Sequence, residues 1–341
     1  MKKTVAFGEI MVGLAPPGFL RFLQAESFDL NYTGAEANVL VSLSQFGLPT
    51  EYVTRLPDNP IAAAAVSTLR KYGVGTDGIV YGGDRMGVIY TEKGASQRPS
   101  KVVYDRKYTS IATAKPEDFD WDKIFGDDTQ WFHFTGITPA LSDATAEICA
   151  DACREAKARG ITVSCDLNYR KNLWSEAKAK SVMEKLVTNA DLVIANEEDA
   201  EKVLGIKASQ TDVISGKLNR DGYVDVAAQI CGKYGVRKVA VTLRKSISAS
   251  DNEWSGMLYD GKDAYFSREY KVHIVNRVGG GDSFAAGLIY SLSNGYNAAD
   301  AVEFAAAASC LKHSIERDFN LVTVDEVRLL AGGDASGRVQ R

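Results

Sequence analysis

The sequence has no apolar run near the roughly 20 residues that a membrane-spanning helix needs. It has no excess of positive charge: Lys and Arg number 40 against 44 Asp and Glu, a formal net charge of −4. That balance gives no electrostatic case for a nucleic acid or an anionic membrane as partner. Histidines number three, none paired at ligand spacing, which argues against a zinc site. The five cysteines (Cys149, Cys153, Cys165, Cys231, Cys310) are odd in number and form no C-x-x-C. They read as reduced thiols filling the core of a cytoplasmic protein, with Cys149 and Cys153 one helical turn apart. The N-terminus carries two lysines and a short apolar run, but no long apolar core with a small-residue cleavage site. "TVAFGEI" therefore reads as a first β-strand. No internal repeat or low-complexity segment interrupts the chain.

What is present is an alternation of strands and helices over 341 residues, 45% hydrophobic. "WFHFTGI", "ITVSCDLN", "DLVIAN" and "RKVAVTL" are short apolar runs bounded by polar turns, suited to buried parallel strands. "GAEANVLVSLSQFG" repeats its apolar residues every three or four positions and ends on Gly47, a helix with its C-terminal glycine. "NPIAAAAVSTLRKYG" predicts a helix with Asn59 as N-cap, Pro60 in its first turn and Gly73 beyond its end. Further helices are predicted over 142–159 with Ser142 as cap, near 282–294 and over 297–312. The pattern predicts a three-layer α/β/α domain with a mainly parallel central sheet, built from 1–9, 34–83 and 113–341. Residues 10–33 and 84–112 break the pattern. They are rich in Tyr, Phe, Val, Thr and Arg, alternate like strands exposed on one face, and predict a small β-sheet lid. Such a sheet covers a substrate or forms a dimer surface; the competing reading is an edge of the main sheet. Exposed strands often pair, so a homo-oligomer, a dimer or higher, is expected.

The stretch "NRVGGGDSFAAGLIYSL" (276–292) places three glycines before a helix. Glycines let a ligand approach the backbone closely. The helix N-terminus offers free N–H groups and about half a positive charge. Together they predict an anion pocket suited to phosphate. No Gly-Lys-Ser/Thr follows, so this is not a P-loop. The glycine spacing and late position also exclude the dinucleotide fingerprint. An aspartate inside a phosphate pocket is useful as the base for the group that attacks the phosphate, which assigns that role to Asp282. The competing reading makes Asp282 a helix N-cap.

In these residues the chain resembles the ribokinase-like (PfkB) carbohydrate kinases, whose signature Asp-Thr-x-Gly-Ala-Gly-Asp aligns with Asn276–Asp282. Gly34 and Asn38, "DLNYRKNLW" and "ANEEDAEKVLG" fall in the family's order, and the likeness covers roughly 3–315. "GAEANVLVSLSQFG" and "RPSKVVYDRKYTSI" look like the branch that phosphorylates 2-keto-3-deoxygluconate. The resemblance implies ATP and Mg²⁺ as cofactors. It implies transfer of the γ-phosphate to the 6-hydroxyl of 2-keto-3-deoxy-D-gluconate, giving 2-keto-3-deoxy-6-phosphogluconate. Asp282 would be the base, and the N–H groups of Gly279, Gly280 and Gly281 would hold the charge on the phosphoryl oxygens. Gly34, Asn38, Tyr90, Tyr104, Arg106 and Arg170 would bind the sugar. Forked arginines suit its carboxylate, and tyrosines give a flat wall with a hydroxyl. Asn196, Thr242, Arg244, Ser246, Gly279 and Gly281 would contact the nucleotide, and Asp199 would reach Mg²⁺ through water.

The chain departs from the family at three places. Asn276 and Arg277 stand where the family has Asp and Thr, Asp199 stands for the usual Glu, and "RKSISASDNEWSG" replaces a Gly-rich turn. Residues 209–222 also form a longer excursion than most members have. Two alternatives remain: a kinase of another sugar (fructose, or a related keto-deoxy or aldonic acid) and a non-catalytic sugar-binding regulator. An intact Asp282 argues against the second.

Overall fold

Apolar residues on both faces of a strand demand a layer on each side. In the computed structural model, which describes residues 2–196, 198–208, 220–335 and 337, the strands are β1 (Lys3–Phe7), β2 (Met11–Ala15), β3 (Asp29–Thr33), β4 (Thr50–Leu56), β5 (Ile79–Tyr81), β6 (Gly87–Glu92) and β7 (Lys101–Asp105). They continue as β8 (Thr129–Thr135), β9 (Thr162–Asp166), β10 (Leu192–Ala195), β11 (Lys238–Ser246), β12 (Asp251–Tyr259), β13 (Ala264–Phe266) and β14 (Tyr270–His273). The helices are α1 (Ala35–Gln45), α2 (Pro60–Lys71), α3 (Trp121–Ile124), α4 (Asp143–Ala158), α5 (Glu176–Val187), α6 (Asp199–Leu204), α7 (Arg220–Tyr234), α8 (Gly280–Ser293), α9 (Ala298–Lys312) and α10 (Val324–Ala331).

Ten strands form the main sheet in the order β13-β12-β11-β10-β9-β8-β1-β4-β5, with β14 also on β12. From β11 to β5 every pairing is parallel, and β12 turns back antiparallel on β11. Successive strand residues feed opposite cores. Val5 and Phe7 pack with α4 and α5 residues, whereas Ala6 packs on the side of α1 and α8. This is the period-two consequence of a sheet covered on both faces. Each large side chain fully removed from water contributes roughly 1.5–3 kcal/mol. The Phe7, Phe132 and Phe134 rings, all 0% exposed, anchor one of these cores.

The helix ends follow the sequence. Asn59 Oδ1 accepts from the N–H groups of Ile61 and Ala62 at 3.1 and 3.0 Å, and Ser142 Oγ accepts from Thr145 N at 3.1 Å. Such caps are worth about 1 kcal/mol each. Helix α8 is buried all round from Ser283 to Ser291, which explains its unbroken apolar run. At Gly287 a Cβ would meet Ala305 Cα at 2.6 Å, so α8 and α9 cross closely and fix the start of α8.

The second sheet has the order β3-β2-β6-β7 and is separate from the first, so segments 10–33 and 84–112 are not an edge of the main sheet. "RKSISASDNEWSG" is no glycine-rich turn. Strand β11 runs through it to Ser246, and β12 returns from Asp251 as a hairpin. Of the excursion 209–222, residues 209–219 lie outside the described residues, and Arg220–Gly222 open α7. Among the described residues the five cysteines are free, three of them fully buried, and no helix is long and apolar enough to cross a membrane.

Candidate active site

The parallel strands direct their C-terminal ends, the usual place for a ligand in an open α/β sheet, at a cavity of about 820 Å³. Its walls are the ends of β9, β10 and β11, the small sheet, and the start of α8.

The three glycines have three different environments. Gly279 holds φ 83° and ψ 0°, and a Cβ there would run into the Asp318 carbonyl oxygen. At Gly280 a Cβ would lie 2.7 Å from His313 Cε1. At Gly281 a Cβ would meet nothing within 4 Å, because the position faces the open cavity. Packing requires the first two glycines; only a ligand close to the backbone would require the third. The helix begins at Gly280 with Gly279 as its cap, so Asp282 is the third helical residue and not an N-cap.

The Asp282 carboxylate is instead tied across the cavity floor: Asn38 Nδ2 donates to its Oδ2 at 2.6 Å. Burial pushes the Asp282 carboxyl up to about 7, the Asn38 hydrogen bond pulls it down, and Glu36 raises it further. Asn38 Oδ1 is buried and has no hydrogen-bond partner among the described residues, although the residue lines the cavity. Gly34 precedes α1 with its backbone against Glu9, where a Cβ would strike the Glu9 carbonyl oxygen. That contact brings α1, and with it Asn38, to the cavity.

On the small-sheet side, Arg106 lines the cavity, buried, with its guanidinium held by Glu9: Nε donates to Oε2 at 2.9 Å, and Nη2 also bonds the same oxygen. Thr109 Oγ1 donates to the other Glu9 oxygen at 2.8 Å. Arg106 therefore presents an oriented donor edge, with its charge balanced by Glu9. Tyr104 lines the same wall with its ring 5.3 Å from the Arg106 guanidinium carbon. Tyr90 does not line the cavity. On β6 it is Ile89 that faces inward, so the strand's alternation turns Tyr90 outward against Phe28, with ring centroids 6.1 Å apart. Arg170 is in the cavity, and its Nη1 donates to Tyr169 O at 3.0 Å. Its charge also acts on Asp166, Asp199 and Asp282. The two arginines assigned to a sugar carboxylate are thus both partly engaged by acids of the protein.

At the other end, Thr242, Arg244 and Ser246 line the cavity because alternate residues of β11 share one face. Asn196 lines it too, while its Oδ1 accepts from the N–H groups of Glu198 and Asp199 at 2.9 and 3.0 Å. Asp199 is buried and accepts from Tyr169 N at 3.2 Å; burial raises its carboxyl and Arg170 lowers it. Asp166, at the end of β9, is raised well above the carboxylate range by burial and then by Asp199 and Asp282. The donor set is all oxygen, which suits Mg²⁺. Among the described residues no group of three or more His, Cys, Asp or Glu could hold a metal directly.

Sequence reasoning missed Glu9, Asp166, Arg277 and Trp254 as cavity residues. Glu9 and Asp166 had a signal, an acid just beyond or at the end of an apolar strand. Trp254 had none, because only the hairpin turn of β12 brings it to the cavity.

The chain matches the description "pfkB family carbohydrate kinase" over residues 1–315. It is 32% identical over 336 residues to the 2-dehydro-3-deoxygalactonokinase of Haloferax volcanii, covering 98% of each chain. It is 26% identical over 325 residues to the 2-dehydro-3-deoxygluconokinase of Thermoproteus tenax, covering 93% of this chain and 90% of the relative. The crystal structure of the 2-dehydro-3-deoxygluconokinase of Thermotoga maritima superposes with a TM-score of 0.94 at 50% identity, covering 98% of this chain and 100% of that one.

Proposed function

The chain belongs to the pfkB family of carbohydrate kinases and is an ATP-dependent sugar kinase; from that premise we propose that it phosphorylates the 6-hydroxyl of 2-keto-3-deoxy-D-gluconate, giving 2-keto-3-deoxy-6-phosphogluconate. The observation that carries the chemistry is Asp282, held by Asn38 at the open end of the glycine turn with its carboxyl near 7. A base works best with a pKa close to the operating pH. As the sugar oxygen attacks the γ-phosphorus, its proton passes to Asp282. The new O–P bond forms while the bond to the bridging oxygen breaks and ADP leaves with the electron pair. Such transition states are loose, so positioning and charge stabilisation dominate. The N–H groups of Gly279 and Gly281 hold the phosphoryl oxygens, joined by that of Gly280, which without a ligand donates to Arg277 O at a long 3.4 Å; an anion-hole donor is typically worth about 3 kcal/mol. Thr242, Arg244, Ser246 and Asn196 face the nucleotide. Asp199, with Asp166 beside it, would hold Mg²⁺ through water, and the ion would neutralise phosphate charge.

The acid sugar is supported by the 50% identical Thermotoga relative and by the Arg106 donor edge beside Tyr104. The small sheet covers the sugar and excludes water. Its strands β3 and β7 expose Leu30 and Val103, surfaces suited to a second copy of the chain, which sedimentation would measure. A second reading, the galactonate epimer, is favoured by the name of the Haloferax relative. An ADP-release assay over 2-keto-3-deoxygluconate, its galactonate epimer, fructose and ribose decides between them. Higher kcat/KM on a neutral sugar would overturn both acid readings.

A further inference from the structure

Arg277 stands two residues before the glycine turn, half-buried, and lines the cavity. Phosphoryl transfer as described above gives it no task. Its Nη2 donates to Ala249 O at 2.9 Å, at the tip of the β11–β12 hairpin. Two departures from the family pattern, Arg277 and the hairpin, therefore touch each other. The tip is itself fastened to the small sheet: Ala249 N donates to Ser96 O at 2.7 Å, and Ser96 N to Ser250 Oγ at 2.9 Å. Among the described residues no carboxylate pairs with Arg277. Burial lowers its guanidinium, and the charge that lowers it further is another cation, Arg244. Arg244 also lines the cavity and makes no ion pair among the described residues; Glu198, on which its charge acts, is bonded to Lys202. On the protein side of the turn lies a third cation, Lys312: a Cβ on Gly279 would be 3.3 Å from its Cε. Burial lowers His313, beside the turn, to about 4, and Lys312, Arg277 and Arg244 all lower it further. Taking a cation out of water is costly unless an opposite charge meets it. This end of the cavity holds cations and lacks the anion that would balance them.

We infer that Arg277, together with Arg244, binds the terminal phosphates of the nucleotide, with the hairpin tip holding the Arg277 guanidinium in place. The inference rests on the reading of the glycine turn as the phosphoryl site. A guanidinium fork matches phosphate oxygens in pairs. With Nη2 engaged by Ala249 O, Nε and Nη1 of Arg277 have no protein acceptor and remain to donate. The same clamp does not suit the sugar carboxylate. Arg277 adjoins the β11–β12 hairpin, which brings Arg244 and Ser246 to the cavity, whereas Arg106 and Tyr104 reach it from the small sheet.

The test is calorimetric binding, with Mg²⁺, of the non-hydrolysable triphosphate AMP-PNP and of AMP to the wild type, Arg277→Met, Arg277→Gln and Arg277→Lys. Circular dichroism checks folding. Arg277→Met should weaken AMP-PNP by about 10–100-fold, the usual worth of hydrogen bonds to a charged group, and leave AMP and the keto-deoxy acid within about twofold. Arg277→Gln keeps an N–H donor for Ala249 O but no charge, and should behave as Arg277→Met. Arg277→Lys keeps the charge without the fork and should fall between. An arginine that merely props the hairpin predicts the opposite: Arg277→Gln would match the wild type, or AMP and AMP-PNP would weaken together. Either result overturns the inference, as does unchanged AMP-PNP affinity in Arg277→Met. A loss confined to the keto-deoxy acid overturns it too, and moves Arg277 to the sugar. If Arg277→Met fails to fold, Arg277→Gln decides in its place. None of these comparisons involves Asp282. Full turnover by Asp282→Asn would sink the base assignment and leave the Arg277 contrast standing. An inactive Asp282→Asn beside unchanged AMP-PNP binding in Arg277→Met sinks only the role of Arg277.

Discussion

Asn38 and Asp282 stand 244 positions apart in the chain and 2.6 Å apart in space, one Asn38 amide hydrogen aimed at one Asp282 oxygen. The contact joins the first turn or so of α1 to the first turn of α8 and fixes the direction in which the Asp282 carboxylate points.

Replacing Asp282 by Asn should lower kcat by about 10²–10⁴-fold, with sugar binding by calorimetry nearly unchanged. Relative to the wild type, the same variant should become more stable as pH rises, because the wild type loses stability. The folded carboxyl is raised from 3.8 to about 7, so the stability it contributes is full below its unfolded value and is lost as pH climbs to about 7. The difference corresponds to up to about 4 kcal/mol. Thermal melts of both proteins at pH 5 and pH 8 measure it; a gap that does not widen with pH would refute the buried-acid description of Asp282.

Asn38→Ala removes the hydrogen bond that lowers the Asp282 carboxyl. The acid limb of kcat/KM should therefore move above the wild-type position near pH 7. At alkaline pH a loss of about 10–100-fold remains, the usual worth of a hydrogen bond to a charged group. A weaker enzyme whose limb has not moved would mean that Asn38 acts on the sugar alone.

Glycines 281 and 279 should respond in opposite ways. Gly281→Ala has room for its methyl group and exchanges a helical glycine for alanine, a gain of roughly 0.5–1 kcal/mol. Its kcat/KM for ATP should nevertheless fall by about 10²-fold, because the methyl occupies ligand space. Gly279→Ala should destabilise the fold by more than about 1–2 kcal/mol, since it adds a clash with Asp318 O to a left-handed φ of 83°. Melting and kinetics on the two purified variants separate a packing glycine from a ligand glycine.

Arg106→Ala leaves Glu9 buried without its cation and should cost about 3–5 kcal/mol. The double variant Glu9→Gln/Arg106→Met should recover most of that stability. It should still lose about 10–100-fold in kcat/KM on the keto-deoxy acid, with little change on a neutral sugar. Full activity of the double variant on the acid would remove Arg106 from substrate recognition.

The strand and helix order, the caps at Asn59 and Ser142, and the glycine turn before α8 were legible in the sequence, because each is a local rule of hydrophobic period, capping or backbone freedom. The small sheet was legible too, from alternation without helical period. Local rules misplaced Asp282 as an alternative cap, because the cap was the residue three positions earlier. The resemblance put Tyr90 at the sugar, whereas which face of β6 meets the cavity depends on its pairing with β2 and β7.

By itself, then, the sequence determined an α/β chain with a glycine turn at the head of a helix and an acid beside it, since those follow from side-chain period and backbone chemistry over a few residues. The partnerships came only with tertiary structure: Asn38 on Asp282, Glu9 on Arg106, Lys312 beneath Gly279. Each joins residues far apart in the chain, and such contacts, like the burial that accompanies them, do not exist until the sheets and helices have packed.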